Sequence, residues 1–164
     1  MFRESVTTKG GMSVRLKNDC VNIFRLLLIE DDTVRVKIVQ QWMPANIKLV
    51  IAPNAGTAIG IVSRDKGRVY GGIMIDHDLQ QRAMTSMDRA LSGKDVVERV
   101  IECISSDVPV LVHSMNRAGA GLMSQYLDKA GFDVTRIPFD ELTREKFLKW
   151  IDEAYSLYED EFRC

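Results

Sequence analysis

Apolar and polar positions alternate in blocks along this chain. Ile23 to Ile29 (IFRLLLI) is a near-continuous apolar run, as a strand shows when both faces of its sheet are covered. Thr33 to Met43 (TVRVKIVQQWM) then spaces Val34, Ile38 and Trp42 by four, a helical stripe that stops before Pro44. Ile47 to Ile51 reads as a second strand, and Asn54 is set to cap a helix running to about Ser63 in spite of Gly56 and Gly60. Val69 to Ile75 is a third strand. Ser92-Gly93-Lys94-Asp95 fits the Ser-x-x-acid start of a helix, ahead of DVVERVIECI. Val108 to Val112 is a fourth strand, and Ala118 to Ala130 a helix closed by Gly131. Phe132 to Arg136 is a fifth. Asp140 then opens a long amphipathic helix carrying Leu142, Phe147, Trp150, Ile151 and Tyr155.

Five strands alternating with five helices predict βαβ units with right-handed crossovers. The expected architecture is α/β, a three-layer α/β/α sandwich around a five-stranded parallel sheet. One connection is out of scale: Asp78 to Leu91 (DLQQRAMTSMDRAL) gives fourteen residues where such units use roughly two to six. It is long enough to lie as a flap over the sheet edge, with room for a short helix. Residues 1–22 mix Gly, Thr, Lys and Asn with few apolar positions and read as a flexible lead-in to a domain spanning 23–160.

Composition narrows the function classes. With 164 residues, 46% hydrophobic, 27% charged and a net charge of −1, the chain suits one folded domain with no basic field over its whole surface. Nucleic acid would have to be met through a local patch. No apolar run approaches the roughly 18 residues of a membrane span, and the start lacks a signal-peptide core, so a cytoplasmic protein is expected. Three scattered cysteines, Cys20, Cys103 and Cys164, suggest neither a disulfide framework nor a zinc site.

Three polar clusters each follow directly on an apolar strand: Glu30-Asp31-Asp32, Asp76-His77-Asp78 and His113-Ser114-Met115-Asn116. In a doubly wound sheet the C-terminal strand ends share one edge, where ligands bind. With strand order 2-1-3-4-5, strands one, three and four are neighbours and the clusters converge. Glu30, Asp31, Asp32, Asp76 and Asp78 would then crowd their charges, which is tolerable when a cation sits among them, with Glu30, Asp31, Asp76 and Asp78 as its expected ligands. Mg2+ is the natural choice, because it takes hard oxygen ligands and binds through carboxylates plus a substrate phosphate; Mn2+ is the alternative. The competing reading is local: Asp31 or Asp32 caps the first helix, and Ser114 or Asn116 the fourth.

These residues carry a resemblance. From about Ile23 to Tyr155 the chain resembles a receiver domain, the phospho-acceptor (flavodoxin-like) fold of two-component response regulators. LLLIEDD is similar to the receiver's first strand and acidic pair, which implies Glu30 and Asp31 as metal ligands. Asp76 in IMIDHDL falls where receivers hold the phosphorylated aspartate, and Ser114 in VPVLVHS matches the phosphate-sensing Ser/Thr. IPFDEL resembles the Lys-Pro-Phe segment, but Ile137 stands where the lysine that pairs with the phosphoryl group belongs. Arg136 beside it would point to the other face of a regular strand. DHDL, Ser-Gly-x-Asp and HSMNRAGAGLM together are similar to a divergent branch, the cyclic-phosphate processing receiver domains. That likeness implies handling of cyclic phosphate on an RNA end or a nucleotide.

The chemistry expected of such a site is metal-assisted phosphodiester hydrolysis. His77 and His113, the only histidines, and Asp76 are the candidate catalytic groups, imidazole being suited to proton transfer near neutral pH. Ser114, Asn116 and Arg117 are the candidate phosphate contacts, helped by the free N–H groups of the following helix; Arg82 and Arg89 are outer candidates, although surface arginines are usually only solvated. Gly119 and Gly121 lack the context of a dinucleotide fingerprint, and the chain has no Walker loop, nucleophile elbow or paired His-x-Thr pattern. The alternatives are a signalling receiver phosphorylated on Asp76 with a kinase or protein partner, or an inactive interaction module. The last two helices offer a face for a homodimer.

Overall fold

The computed structural model describes residues 23–65 and 68–162; the lead-in expected over 1–22, with Cys20, lies outside the described residues, as does Cys164. The strands are β1 (Arg25–Ile29), β2 (Lys48–Ala52), β3 (Gly72–Ile75), β4 (Val110–Val112) and β5 (Val134–Arg136). The helices are α1 (Thr33–Trp42), α2 (Ala55–Ser63), α3 (Ser86–Ala90), α4 (Gly93–Cys103), α5 (Arg117–Lys129) and α6 (Arg144–Phe162), with a 3-10 turn at Phe139–Glu141. The sheet runs β2-β1-β3-β4-β5, the order expected of the fold, with every pairing parallel as the block pattern predicts.

Alternation along the central strands divides the interior into two cores. Leu26 and Leu28 of β1, Met74 of β3 and Leu111 of β4 face α1 and α6, where Val36, Val39, Phe147, Trp150, Ile151 and Ala154 cover them. Leu27, Ile29, Ile73, Ile75, Val110 and Val112 face α2, α4 and α5, covered by residues such as Ala58, Val62, Val97, Val100, Met123 and Leu127. Strand positions buried on both faces need apolar residues, which explains the run Leu26–Ile29 that follows the half-buried Arg25 in β1. Truncating any of these leucines to Ala would cost about 2–5 kcal/mol.

The strands end within one residue of their apolar runs but start one to three residues later. Tyr70, Val108 and Phe132 are buried at the strand entrances outside the strands, and Phe24 meets the sheet through its carbonyl, which accepts from Lys48 N at 3.0 Å, so apolarity there reflects packing more than pairing. In α1 the buried residues are Val36 and Val39, while Val34 is 64% exposed and Ile38 and Trp42 are half-buried. Both stripes obey the helical period; contact with the sheet selects the second. Asp140 does not open α6. It lies inside the 3-10 turn, which closes with Leu142 N–H on the Phe139 carbonyl at 3.2 Å. Thr143 starts the helix instead, its carbonyl accepting from Phe147 N at 2.9 Å and its hydroxyl from Lys146 N at 3.3 Å.

The long connection after β3 contains α3. Thr85 and Asp88 form a reciprocal capping box there, and Ser92 and Asp95 form another at the start of α4. Asn54 both caps α2 through Thr57 N (2.7 Å) and donates from Nδ2 to the Arg82 carbonyl (3.2 Å), tying the connection to the neighbouring helix. Among the described residues no helix is long and apolar enough to cross a membrane.

Candidate functional site

The C-terminal ends of β1, β3 and β4 are adjacent in the sheet, so the three polar clusters meet at one edge. Glu30, Asp31 and Asp76 are all buried and offer oxygens within 4.8 Å of one another. They are the one such group of possible metal ligands among the described residues. Asp78 stands apart from it, its carboxylate turned to His77 and Asn116.

Each carboxylate is held by a specific donor. Glu30 Oε1 accepts from Asp32 N at 2.9 Å, and Oε2 lies 3.0 Å from His113 Nε2, with both side chains fully buried. Burial alone would raise the Glu30 pKa. Contact with His113, the Asp32 amide and the field of Arg35 outweigh it and hold the carboxyl below its ordinary value. Asp31 Oδ2 accepts from Gln81 N at 2.7 Å. Its pKa is pushed up to about 6, first by burial and then by the charges of Glu30 and Asp76, against the opposing pull of the Gln81 amide. Asp76 Oδ1 accepts from His77 N at 2.7 Å, and Oδ2 from Arg35 Nη1 at 3.1 Å.

These residues fit a divalent cation. The donors are hard carboxylate oxygens from three strand-end positions, and these three carboxylates face a single guanidinium, that of Arg35. Asp32, by contrast, caps α1, accepting from Val34 N at 2.8 Å and Arg35 N at 3.2 Å.

The histidines occupy different environments. His113 is fully buried, its ring 6.0 Å edge-on from Phe139. Its Nδ1 has no hydrogen-bond partner. A bare lone pair is cheaper to bury than an unpaired N–H, which favours the tautomer with the proton on Nε2, donated to Glu30. His77 is 22% exposed and its Nδ1 lies 2.7 Å from Asp78 Oδ1. Asn116 Nδ2 donates to the same Asp78 oxygen at 3.2 Å. Asn116 Nδ2 also lies 3.3 Å from His77 Nδ1, but the 2.7 Å carboxylate contact is the shorter and favours the His77 proton on Nδ1, leaving a lone pair on Nε2. The His77 contact lowers the Asp78 pKa most, with Asn116 adding to it and burial opposing.

Close backbone approach shapes the seat of His77. A Cβ on Gly119 would come within 2.5 Å of the imidazole carbons, and one on Gly93 would strike the Asp76 carbonyl and lie 2.7 Å from the His77 Cα. Only glycine leaves room at these two positions. Asn116 caps α5 through Gly119 N at 2.9 Å, and buried Ser114 accepts from Asn116 N at 3.2 Å. Arg117 is 76% exposed with its guanidinium 3.6 Å from Glu141, and Arg82 and Arg89 are exposed on the connection. Arg136 donates to the Arg117 carbonyl at 2.7 Å.

Two contributors are not evident from motif reading. Arg35 reaches back from the first turn of α1 to Asp76 and Glu30, with its guanidinium carbon 5.3 Å above the Phe139 ring. Helical side chains lean toward the N-terminus, so a lone cation one turn after an acidic strand end is the available signal. Asn54 is the other; its capping role is legible, its hold on the connection is not.

No protein-family model matches the chain, and no curated protein does. Solved structures do. A CheY-like receiver domain protein from Methanospirillum hungatei JF-1 is 18% identical with a TM-score of 0.62, covering 85% of this chain and 97% of that one. A receiver domain protein from Clostridium thermocellum is 13% identical with a TM-score of 0.60, over 83% and 97%. The receiver domain of sensor histidine kinase PA1611 from Pseudomonas aeruginosa PAO1, which has a magnesium ion coordinated in its active site cleft, is 14% identical with a TM-score of 0.58, over 79% and 95%. At such identities the likeness establishes the fold. The chain has the receiver fold of CheY-like response regulators, with a buried acidic cluster at the C-terminal edge of its sheet.

Proposed function

We propose that the chain binds a divalent cation, Mg2+ or Mn2+, at Glu30, Asp31 and Asp76, and there takes a cyclic phosphate on a nucleotide or RNA end and hydrolyses it. The observation that carries this reading is the His77–Asp78–Asn116 network set beside the carboxylate cluster. A carboxylate on Nδ1 fixes the tautomer and orientation of an imidazole and makes its other nitrogen a better base. In this reading His77 accepts the proton of the attacking water. Water oxygen bonds to phosphorus, the bond from phosphorus to one ribose oxygen breaks, and the protonated His77 returns its proton to the released ribose oxygen. A cation bound at the carboxylates supplies Lewis-acid charge on the phosphoryl oxygen. Asn116, Arg117 and the N-terminus of α5 contribute contacts to the remaining phosphate oxygens, and Ser114 supports Asn116. His113 acts as a positioning residue, holding Glu30 from within the core. Asp78 acts through His77, with its share in the metal site secondary.

Turnover of a 2′,3′-cyclic nucleotide with Mg2+ tests the reading. Wild type is expected to open the ring, and His77→Ala to lose about 10²–10⁴-fold in rate. An unchanged rate in His77→Ala overturns the proton-transfer assignment.

A second reading is a signalling receiver phosphorylated on Asp76, acting through a kinase or protein partner. Burial of Asp76 between Asp31 and Arg35 at the end of β3 favours it. Stable labelling of Asp76 by acetyl phosphate and Mg2+, without cyclic-nucleotide turnover, selects this reading over the first.

A further inference from the structure

Among the described residues one cationic side chain, Arg35, makes ion pairs with the buried carboxylate cluster apart from His113, and it does so twice. Its Nη1 lies 3.1 Å from Asp76 Oδ2 and 3.5 Å from Glu30 Oε2. The side chain is one-quarter exposed, whereas those of Glu30 and Asp76 beside it are buried. Phe139, on the turn following β5, lies beneath the guanidinium at 5.3 Å. No lysine of the described residues pairs with these carboxylates, Ile137 precedes the turn, and Arg136 is engaged with the Arg117 carbonyl.

Charge balance defines what Arg35 does. Three carboxylates against one guanidinium leave two formal negative charges, which a dication would neutralise. A dication and Arg35 compete for the same oxygens of Asp76 and Glu30. Arginine has a flexible stem and five donors; Nη1 alone makes both contacts to these two residues, while Nε lies 4.0 Å from Asp32 Oδ2.

We propose that Arg35 is an internal counterion that exchanges partners. It pairs with Asp76 and Glu30 in the metal-free protein, offsetting one of their charges, and on cation binding turns its donors to the oxygens of a phosphate ligand while its face stays on Phe139. This rests on the carboxylate cluster binding Mg2+, and it assigns the phosphate-facing cation to α1. Bidentate geometry and a charge that persists at every working pH suit guanidinium to that task.

The test compares wild type, Arg35→Gln and Arg35→Lys by calorimetric titration with MgCl2. Inorganic phosphate is then titrated into the Mg2+-saturated proteins, followed by backbone amide NMR shifts. Removing the competing charge in Arg35→Gln is expected to leave Mg2+ affinity equal or several-fold tighter, with phosphate affinity about tenfold weaker. Arg35→Lys, which keeps the charge but not the fork, is expected to fall between the two and also serves should Arg35→Gln unfold. Undiminished phosphate affinity in both variants overturns the exchange, as does a parallel loss of Mg2+ and phosphate binding. If wild type itself takes up no Mg2+ at millimolar concentration, the metal reading fails first and the exchange falls with it.

Discussion

Glu30 and His113 form a fully buried pair, 3.0 Å apart, joining the end of β1 to the end of β4. Removing one partner leaves the other's charge or polarity stranded in the core. His113→Ala is therefore expected to lower unfolding free energy by about 3 kcal/mol, and Glu30→Gln, which keeps an acceptor and sheds the charge, by about 1 kcal/mol. Urea denaturation at neutral pH checks both. Equal, negligible losses would mean the pair does not hold the strands together.

The same pair gives an acid limb to stability. Glu30 titrates below its ordinary 4.5 in the folded chain. Its contribution is thus full above the unfolded pKa and drains away as pH falls through the folded one. Wild type is expected to lose stability more steeply than Glu30→Gln below about pH 4. Parallel acid limbs in the two proteins would contradict this.

Asp31 works in the opposite sense. Its pKa rises from 3.8 to about 6, so its favourable contribution is complete below the unfolded value and is lost as pH climbs through about 6. In metal-free protein at pH 7.5, Asp31→Asn is expected to gain roughly 2–3 kcal/mol. It also keeps an oxygen for the Gln81 amide. Mg2+ is expected to raise the melting temperature of wild type more at pH 7.5 than at pH 5, and hardly at all in Asp31→Asn. A pH-independent Mg2+ effect would count against Asp31 as a ligand.

Gly119 gives His77 its space. Gly119→Ala puts a methyl where the imidazole lies, so the ring must leave Asp78. Imidazole nitrogen NMR is expected to show loss of the Nδ1–H tautomer in this variant. Cyclic-nucleotide turnover should fall by about 10²-fold or more. A wild-type spectrum in Gly119→Ala would mean the ring has another seat.

Asn54 couples two roles, capping α2 and holding the Arg82 carbonyl. Asn54→Ala is expected to cost about 1–2 kcal/mol. Faster hydrogen exchange over 80–84 should accompany the loss, whereas exchange confined to the start of α2 would show that the second bond carries little.

Much of this was legible in the residues because the signals were local. The doubly buried strands, the Asn54, Ser92 and Asn116 caps, and the glycine after α5 each follow from one short segment. The convergence of Glu30, Asp31 and Asp76 followed from sheet order, a topological rule. What escaped was set by tertiary contact. Asp140 loses its capping place to a turn that Pro138 and Phe139 form first. Val36 and Val39 supplant Val34 because of how α1 meets the sheet. The two histidines look alike in sequence, yet one is sealed behind Glu30 and the other stands near the rim with Asp78, a distinction only packing makes.

The bond from Gln81 N–H to Asp31 ties a stretch of main chain to the charge state of one oxygen pair. An ionised carboxylate accepts more strongly than a carboxylic acid, so whatever keeps Asp31 deprotonated also tightens its grip on the connection. By reciprocity, loss of the Gln81 bond alone makes Asp31 easier to protonate, whereas exposing the carboxyl to water works the other way. Proton, cation and flap thus form one thermodynamic cycle, and a protease that cuts near Gln81 would sense all three.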